Sequence, residues 1–257
     1  MDIRNMFRLD GKNAIVIGGA GGIGEGIAEA LAAYGANVSI ASRKMEALLA
    51  AKDKIKAATG EDVSVYTVDA SKEESIIALV EAVLKDKDHI DILVNAQGYN
   101  VKYHITELPE DIMKGMMDTN VIGIAMLCKH FGKHMKDRGY GKIINVSSTR
   151  GARACLGGNA SYCATKGALD MLTRTLACDL GPEVNVNAIG PTNTVTPMME
   201  PLIKEHPDIL HLGDDKPLKR IGKVEDCMGV AVFLASEASA FITGQIIYAD
   251  GGMTAIG

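Results

Sequence analysis

A short apolar run leads directly into a glycine-rich turn and then into a helical pattern near the start of the chain. The run is Asn13 to Ile17, the turn reads G-G-A-G-G-I-G over residues 18–24, and the helical pattern continues through Ile27, Ala28 and Leu31. A strand that enters a helix through glycines aims backbone N–H groups and the helix N-terminus at one point. The pattern therefore constrains the fold to contain a strand–turn–helix unit, and it favours binding of a phosphate group at the turn.

Further apolar runs alternate with helical patterns along the chain. They cover Val38 to Ala41, Val63 to Val68, Ile90 to Val94 and Ile143 to Val146. This alternation predicts an α/β fold with a parallel sheet and helices on both faces. Ligands of such sheets lie at the carboxyl ends of the strands. The residues that fall at those predicted ends are Gly18, Ser42, Asp69, Asn95 and Ser148.

The stretch from Ser148 to Lys166 carries the residues with the clearest chemistry. Tyr162 and Lys166 are four residues apart in a helical pattern that ends at Gly181, so they share one helix face. An ammonium group beside a phenol favours the phenolate and lowers its pKa, and such a pair can transfer protons. Ser148 follows a predicted buried strand and can hydrogen-bond the oxygen that Tyr162 protonates. By itself, a Tyr-x-x-x-Lys spacing is also compatible with an ordinary helix face.

The end of the second predicted strand indicates which dinucleotide would bind. An acidic residue there would bind the 2′-hydroxyl of an adenosine ribose, whereas an arginine accommodates a 2′-phosphate. The chain has Ser42 and Arg43, which favours NADP over NAD, although Arg43 can also lie over the adenine or point into solvent. Asp69 is predicted to contact the adenine amino group. Its alternative role is at a helix start, where Ser71 and Glu74 match a capping box.

Composition excludes several other classes of function. The chain has 257 residues, a formal net charge of -5 and no run of basic residues, so nucleic-acid binding is not expected. The sequence shows no secretory segment and no stretch long and apolar enough to span a bilayer, which predicts a cytoplasmic protein without membrane contact. The five cysteines lack C-x-x-C spacing, so a disulfide framework is not expected. Among the histidines only His130 and His134 have a zinc-site spacing, and no acidic residue lies between them, so they are predicted to be surface residues and no metal site is expected.

Taken together, the motifs resemble the short-chain dehydrogenase/reductase family over essentially the whole chain. The matching positions are Gly22-Ile23-Gly24, N-A-Q-G from Asn95 to Gly98, Asn120 within N-V-I-G, the set Ser148, Tyr162 and Lys166, the segment N-A-I-G-P, Thr196-Pro197-Met198, and the C-terminal I-T-G-Q and D-G-G motifs. The resemblance implies a Rossmann-type, doubly wound, seven-stranded parallel sheet. It also implies a single domain over residues 1–257, hydride transfer to or from a nicotinamide cofactor, and a homotetramer or homodimer.

The resemblance also implies roles for individual residues. Tyr162 would be the general acid in carbonyl reduction and the base in alcohol oxidation, Ser148 would orient the substrate oxygen, and Asn120 would hold a water that relays protons through Lys166. Lys166 would bind the nicotinamide ribose and lower the pKa of Tyr162. The expected cofactor contacts are Gly18, Gly21, Gly22, Ile23, Ser42, Arg43, Asp69, Ala70, Asn95, Gly98, Tyr162, Lys166, Pro191, Thr194 and Thr196.

Three positions depart from the family pattern. Ile17 stands where the family usually has Thr, N-A-Q-G replaces N-N-A-G, and Thr192 follows Pro191 where the family usually has Gly. None of these changes removes a group that transfers protons. A local reshaping of the site is therefore expected, with the reaction retained.

The predicted substrate contacts are polar and partly cationic. They are Asn100, Arg150, Arg153 and Asn159, together with a substrate loop at about 193–217. Arginine binds carboxylates through two hydrogen bonds, so these residues favour a sugar acid or a related polyhydroxy substrate. Within the family, the nearest resemblance is to gluconate and deoxygluconate dehydrogenases. The alternatives are a 3-oxoacyl carrier-protein reductase, a hydroxysteroid dehydrogenase or, in a different class, a non-catalytic dinucleotide-binding sensor.

Overall fold

A seven-stranded parallel sheet forms the centre of the protein. The computed structural model describes residues 3–196 and 199–256, and within them the strand order of this sheet is β3-β2-β1-β4-β5-β6-β9. Its strands are β1 (Asn13–Ile17), β2 (Asn37–Ser42), β3 (Ser64–Thr67), β4 (Ile92–Asn95), β5 (Gly141–Val146), β6 (Val184–Pro191) and β9 (Ile246–Ala249). The prediction of a Rossmann-type, single-domain α/β fold with a seven-stranded parallel sheet is confirmed.

Helices cover both faces of the sheet. They are α1 (Gly22–Ala33), α2 (Met45–Thr59), α3 (Glu73–Lys87), α4 (Glu110–Met117), α5 (Gly123–Arg138), α6 (Ala160–Leu180), α7 (Glu200–Glu205) and α8 (Glu225–Ala235). The alternation of side chains along β1 shows how the two faces are filled. Ala14 and Val16 pack into the core beneath α1, α2 and α8, whereas Ile15 and Ile17 pack into the core beneath α3, α5 and α6.

The strand order changes direction between β1 and β4. From β1 the chain moves outward through β2 and β3, and then returns to β4 on the other side of β1. A cleft at the carboxyl ends of the strands forms at such a switch point. The fold therefore brings the ends of β1, β2, β4 and β5 to one rim.

The helical region over residues 110–138 is divided into three segments in the structure. Helix α4 ends at Met117, a single π-helical turn covers Asp118–Ile122, and α5 begins at Gly123. A side chain at Gly123 would collide with the carbonyl oxygen of Ala70, which shows how closely α5 approaches the end of the β3 segment. The π turn leaves Asn120 fully buried and facing α6.

The segment after β6 forms a separate small structure beside the rim. In it, β7 (Thr194–Val195) pairs in parallel with β8 (Gly222–Lys223), and α7 and a 3₁₀ helix at Pro207–Gly213 lie between these two strands along the chain. Most of the predicted substrate loop at 193–217 lies here, but its residues Pro197 and Met198 lie outside the described residues. In the described part of the chain, no helix is long and apolar enough to cross a membrane.

Candidate active site

Three adjoining cavities line the rim at the carboxyl ends of the strands. The first, of about 330 Å³, is bordered by Gly18, Gly21, Ser42, Arg43, Asp69 and Ala70. The second, also about 330 Å³, is bordered by Ile23, Ser148, Tyr162, Lys166, Pro191 and Thr196. Gly21 and residues 96–99 border both cavities, so the two form one continuous cleft.

The glycine turn gives this cleft its shape. Gly18 has φ of +81°, and a Cβ there would lie 2.7 Å from the backbone nitrogen of Gln97, so a side chain would have no room. At Gly21, by contrast, a Cβ would meet no atom within 4 Å, which leaves open space where the two cavities join. These features fit an elongated dinucleotide whose phosphates lie over Gly21 and the start of α1.

The outer end of the first cavity carries the predicted adenosine contacts. Ser42 ends β2, the exposed Arg43 follows it, and Asp69, which follows the neighbouring strand β3, borders the same cavity. The carboxylate of Asp69 accepts hydrogen bonds from the Ser71 backbone at 3.2 Å and from the Ser71 hydroxyl at 2.6 Å. These bonds lower the pKa of Asp69, and the Arg43 charge contributes in the same direction.

The predicted Ser71–Glu74 capping box does not form, because the residue that precedes α3 is Lys72 and Ser71 turns to Asp69 instead.

The second cavity contains the predicted catalytic groups. Ser148 follows β5, whereas Tyr162 and Lys166 lie in the first two turns of α6. Ser148 and Tyr162 border the same cavity, and the Ser148 hydroxyl accepts a hydrogen bond from the Arg150 backbone nitrogen at 3.2 Å. Lys166 is buried, its Nζ donates to the carbonyl oxygen of Val146 at 2.8 Å, and it lies 5.7 Å from the centre of the Tyr162 ring.

Burial controls the protonation of this pair. It raises the pKa of Tyr162, and the main opposing effect comes from the nearby Ser148 hydroxyl, with a smaller one from the charge of Arg150. Burial also lowers the pKa of Lys166 to about 8. The phenol is therefore protonated at neutral pH and suited to donate a proton. The pKa of Tyr162 is thus raised overall in this structure, and its lowering by Lys166 stays a prediction.

Asn120 connects the wall of the cleft to α6. Its Oδ1 accepts from the Tyr99 backbone nitrogen at 3.0 Å, and its Nδ2 donates to the Tyr99 carbonyl at 2.9 Å and to Thr165 Oγ1 at 3.2 Å. Gly98 stands between this amide and Lys166, since a Cβ there would lie 3.2 Å from Asn120 Oδ1 and 3.6 Å from Lys166 Nζ. The water relay implied for Asn120 remains a prediction.

The third cavity opens on the other side of Tyr162. It has a volume of about 360 Å³ and shares Asn100, Ser148, Tyr162 and Thr192 with the second. Its remaining polar lining comes from Lys102, Thr149, Arg150, Asn159 and Asn193. Asn100 donates to the Asn159 side chain at 2.9 Å, which joins two of the connecting segments that form the cavity.

Known proteins match this chain over nearly its full length. A family model described as "Enoyl-(Acyl carrier protein) reductase" matches residues 18–254. Gluconate 5-dehydrogenase of Gluconobacter oxydans 621H is 36% identical over 251 residues, which cover 97% of each chain. The 5-keto-D-gluconate 5-reductase of Escherichia coli K12 is 32% identical over 254 residues, or 98% of each chain.

A solved structure is similarly close. It is a gluconate 5-dehydrogenase from Burkholderia cenocepacia J2315 in complex with NADP and tartrate, which aligns with a TM-score of 0.90 at 30% identity over 98% of this chain and 99% of that one. The chain belongs to the short-chain dehydrogenase/reductase family. It is accordingly an oxidoreductase that acts on CH–OH groups.

Five predicted site residues border none of the three cavities: Asn120, described above, and Asn95, Thr194, Arg153 and Gly22. Asn95 is fully buried below the cleft, where its Nδ2 donates to Asn145 Oδ1 at 2.9 Å. Thr194 lies in β7, and its hydroxyl donates to the Thr192 carbonyl at 2.9 Å. Arg153 turns to the C-terminal segment, where its Nη1 donates to the carbonyl oxygens of Met253 and, at 2.8 Å, Ile256. The prediction of a substrate contact for Arg153 is therefore corrected, because these carbonyls already hold the guanidinium.

Gly22 also differs slightly from its predicted place. It borders a neighbouring depression formed with α8, and a Cβ there would lie 3.3 Å from Thr196 Cγ2. It thus supports the glycine turn from behind the cleft.

Two short-chain dehydrogenase/reductase site features were missed by sequence reasoning. Thr165 supports Asn120, and its hydroxyl also donates to the Tyr162 carbonyl at 2.8 Å, one turn earlier in α6. Gln97 borders both halves of the cleft, and within the described residues its side-chain amide atoms are buried without hydrogen-bond partners. The sequence could have indicated Gln97, because N-A-Q-G departs from the family pattern there. It could not have indicated Thr165, because the contact of Thr165 with Asn120 depends on the π turn.

No cluster of potential metal ligands occurs in the described part of the chain.

Proposed function

We propose that this protein is an NADP-dependent dehydrogenase that interconverts a secondary alcohol and a ketone on a sugar acid or a related polyhydroxy compound. The observation that carries the proposal is the position of Tyr162. This residue borders both the cleft that fits a dinucleotide and the third cavity, which contains Arg150 and Lys102. A carbonyl bound there would lie between a proton donor and the cofactor.

The bound cofactor supplies or accepts the hydride, and the chain's residues handle the proton. In carbonyl reduction, Tyr162 donates the phenolic proton to the substrate oxygen while the Ser148 hydroxyl hydrogen-bonds the same oxygen. The protonated Lys166 stabilises the negative charge that develops on Tyr162. In alcohol oxidation, Tyr162 accepts the proton instead.

Three features support NADP as the cofactor. Arg43 borders the first cavity at the end of β2, where it can pair with a 2′-phosphate. The residues at this position, Ser42, Arg43 and Lys44, include no carboxylate that would repel such a phosphate. The related Burkholderia cenocepacia enzyme was crystallised with NADP.

The third cavity supports a polyhydroxy acid as substrate. Arg150 and Lys102 supply positive charge, and Asn100 and Asn159 supply amides that can hydrogen-bond hydroxyl groups. Asn193 and Leu212 also border this cavity, which supports the proposal that residues 193–217 act as a substrate loop. Several similar proteins carry the names of gluconate or ketogluconate enzymes.

The assembly is proposed to be a homotetramer or homodimer in the cytoplasm. Exposed apolar side chains, among them Met171 on α6 and Phe241, support an association of identical subunits. Multi-angle light scattering on the purified protein tests this part of the proposal. A monomer at micromolar concentration would contradict it.

Absorbance of the reduced nicotinamide, followed with NADP and NAD in parallel, tests the proposed reaction. The substrate panel contains sugar acids, polyols, hydroxysteroids and a 3-oxoacyl thioester. Turnover of a sugar acid with NADP is the expected result. Turnover with NAD alone would contradict the role of Arg43, and turnover of only a steroid or the thioester would contradict the polar third cavity. Cofactor binding without turnover of any compound would favour the non-catalytic sensor.

A further inference from the structure

A buried carboxylate lies directly behind the catalytic residues. Asp170 is in α6, one turn after Lys166 and on the same helix face, and only 4% of it is exposed. A buried charge is costly unless it is paired or hydrogen-bonded, so its surroundings should show what holds it there. Nothing in the family motifs described above assigns a role to this position.

The Asp170 carboxylate contacts both ends of the segment that carries Ser148. Its Oδ1 accepts a hydrogen bond from the Ser147 hydroxyl. Its Oδ2 packs so closely against Gly151 that a Cβ at that glycine would collide with it. Ser148 lies between these two contacts, in the turn that follows β5.

Lys166 adds a third contact to the same segment. Its Nζ donates to the carbonyl oxygen of Val146 at 2.8 Å, one residue before Ser147. Helix α6 therefore holds Val146, Ser147 and Gly151 with one lysine and one aspartate from adjacent turns. The same helix carries Tyr162, so these contacts fix the placement of Ser148 relative to the phenol.

Charged and titratable groups surround Asp170 from several elements. Lys166 and Arg174 lie one turn before and one turn after it in α6, and Tyr248 lies in β9. Burial raises the pKa of Asp170, and the Ser147 hydroxyl, the charges of Arg174 and Lys166, and Tyr248 act in the opposite direction. Arg150, in the turn after Ser148, acts on Tyr162 and Cys163 instead. Burial lowers the pKa of Lys166, and the negative charge of Asp170 acts in the opposite direction. Asp170 thus favours the protonated form of Lys166.

We propose that Asp170 is a positioning residue for the reaction, which fixes the Ser147–Gly151 segment and balances the charge of Lys166. The inference rests on the proposed roles of Ser148, Tyr162 and Lys166. It adds a residue that touches neither substrate nor cofactor and acts through Ser148 and Lys166.

Asp170→Asn tests the proposal, because it keeps the shape of the side chain and removes the charge. We expect kcat for ketone reduction to fall roughly tenfold or more, with the Kd for NADP unchanged within about twofold. The pH at which kcat for ketone reduction falls on the alkaline side should also decrease by about one unit, because Lys166 without its anionic neighbour loses its proton more easily. Ser147→Ala removes one contact and leaves the charge, so it should lower kcat without moving the pH profile.

Asp179→Asn is the matched control, since Asp179 is an exposed aspartate in the same helix. It should leave kcat and the pH profile unchanged. An Asp170→Asn variant with an unmoved pH profile would overturn the charge-balancing role, even if kcat fell equally at every pH. Should that variant fail to fold, Ser147→Ala decides the question, and an unchanged kcat overturns the proposal. Retained turnover in Tyr162→Phe would instead refute the proposed function itself.

Discussion

The proposed cofactor side and the proposed substrate side of the cleft are built from different kinds of structure. The first and second cavities are bordered mainly by strand ends and by glycines whose backbone geometry leaves little choice, as at Gly18. The third cavity is bordered by connecting segments around Asn100, Arg150, Asn159 and Leu212. Strand ends thus hold the proposed catalytic and cofactor residues, whereas connecting segments, which commonly carry specificity, hold the proposed substrate residues.

The two sides meet at Tyr162. Its ring borders the second and third cavities, and α6 anchors it to the sheet through the Lys166 contact with Val146. Changes on either side of this residue should therefore have separable effects. Changes to the sheet side should affect cofactor binding or turnover, and changes to the loop side should affect the KM for substrate.

The largest effect is expected from Tyr162→Phe, which removes the proton donor at the meeting point. The turnover number should fall by about 10²- to 10⁴-fold, the range contributed by general acid–base catalysis. Isothermal titration with NADP should give a Kd within a few-fold of the unmodified protein, since the ring remains. Loss of cofactor binding together with turnover would show instead that the ring supports the fold of the cleft.

The sheet side was predictable because its signals are local. The strand–glycine–helix unit follows from residues 13–31, and the four-residue spacing of Tyr162 and Lys166 places both on one face of α6. The loop side was not predictable to the same degree. Arg153 and Arg150 look equivalent in sequence, but the partners of Arg153 are carbonyls about 100 residues later in the chain. The burial of Asn120 was not predictable from local sequence either, because its π turn depends on packing against Ala70 and α6.

On the sheet side, Arg43→Ala should alter the choice of cofactor. Loss of a charge-assisted contact with the 2′-phosphate should weaken NADP binding by roughly 10- to 100-fold and leave NAD binding nearly unchanged. Fluorescence titration with NADPH and NADH provides the two Kd values. Lys44→Ala, the neighbouring cation, is the matched control and should have a smaller effect. An equal increase in the Kd values of NADPH and NADH would indicate that Arg43 lies over the adenine instead.

On the loop side, Arg150→Gln and Arg153→Gln separate two residues that the sequence could not distinguish. Arg150→Gln should raise the KM for a carboxylate substrate by about tenfold, because a charged hydrogen bond is replaced by a neutral one. Arg153→Gln should leave KM unchanged and lower the melting temperature, since it loses its bonds to the C-terminal carbonyls. Steady-state kinetics and thermal unfolding of both variants measure these effects. A raised KM in Arg153→Gln alone would reverse the assignment.

The smallest expected effect is on the pH dependence of the unmodified enzyme. Burial lowers the pKa of Lys166 to about 8, so Lys166 is charged below this pH and neutral above it. Burial also raises the pKa of Tyr162, which keeps the phenol protonated over this range. The rate of ketone reduction at saturating NADPH should therefore decline a few-fold as the pH rises through about 8, whereas alcohol oxidation should rise with pH. A reduction rate that increases between pH 7 and pH 9 would contradict this assignment.

An isotopic label can show whether this cleft carries out hydride transfer between NADP and a substrate carbonyl. The enzyme would be incubated in ordinary water with NADPH carrying deuterium on one face of the nicotinamide C4, and with the ketone that the substrate panel identifies. Parallel reactions would use the two C4 epimers, and the product would be analysed by NMR and mass spectrometry. We expect one deuterium on the carbinol carbon from one epimer and none from the other. Label lost to solvent, or equal transfer from both epimers, would contradict it.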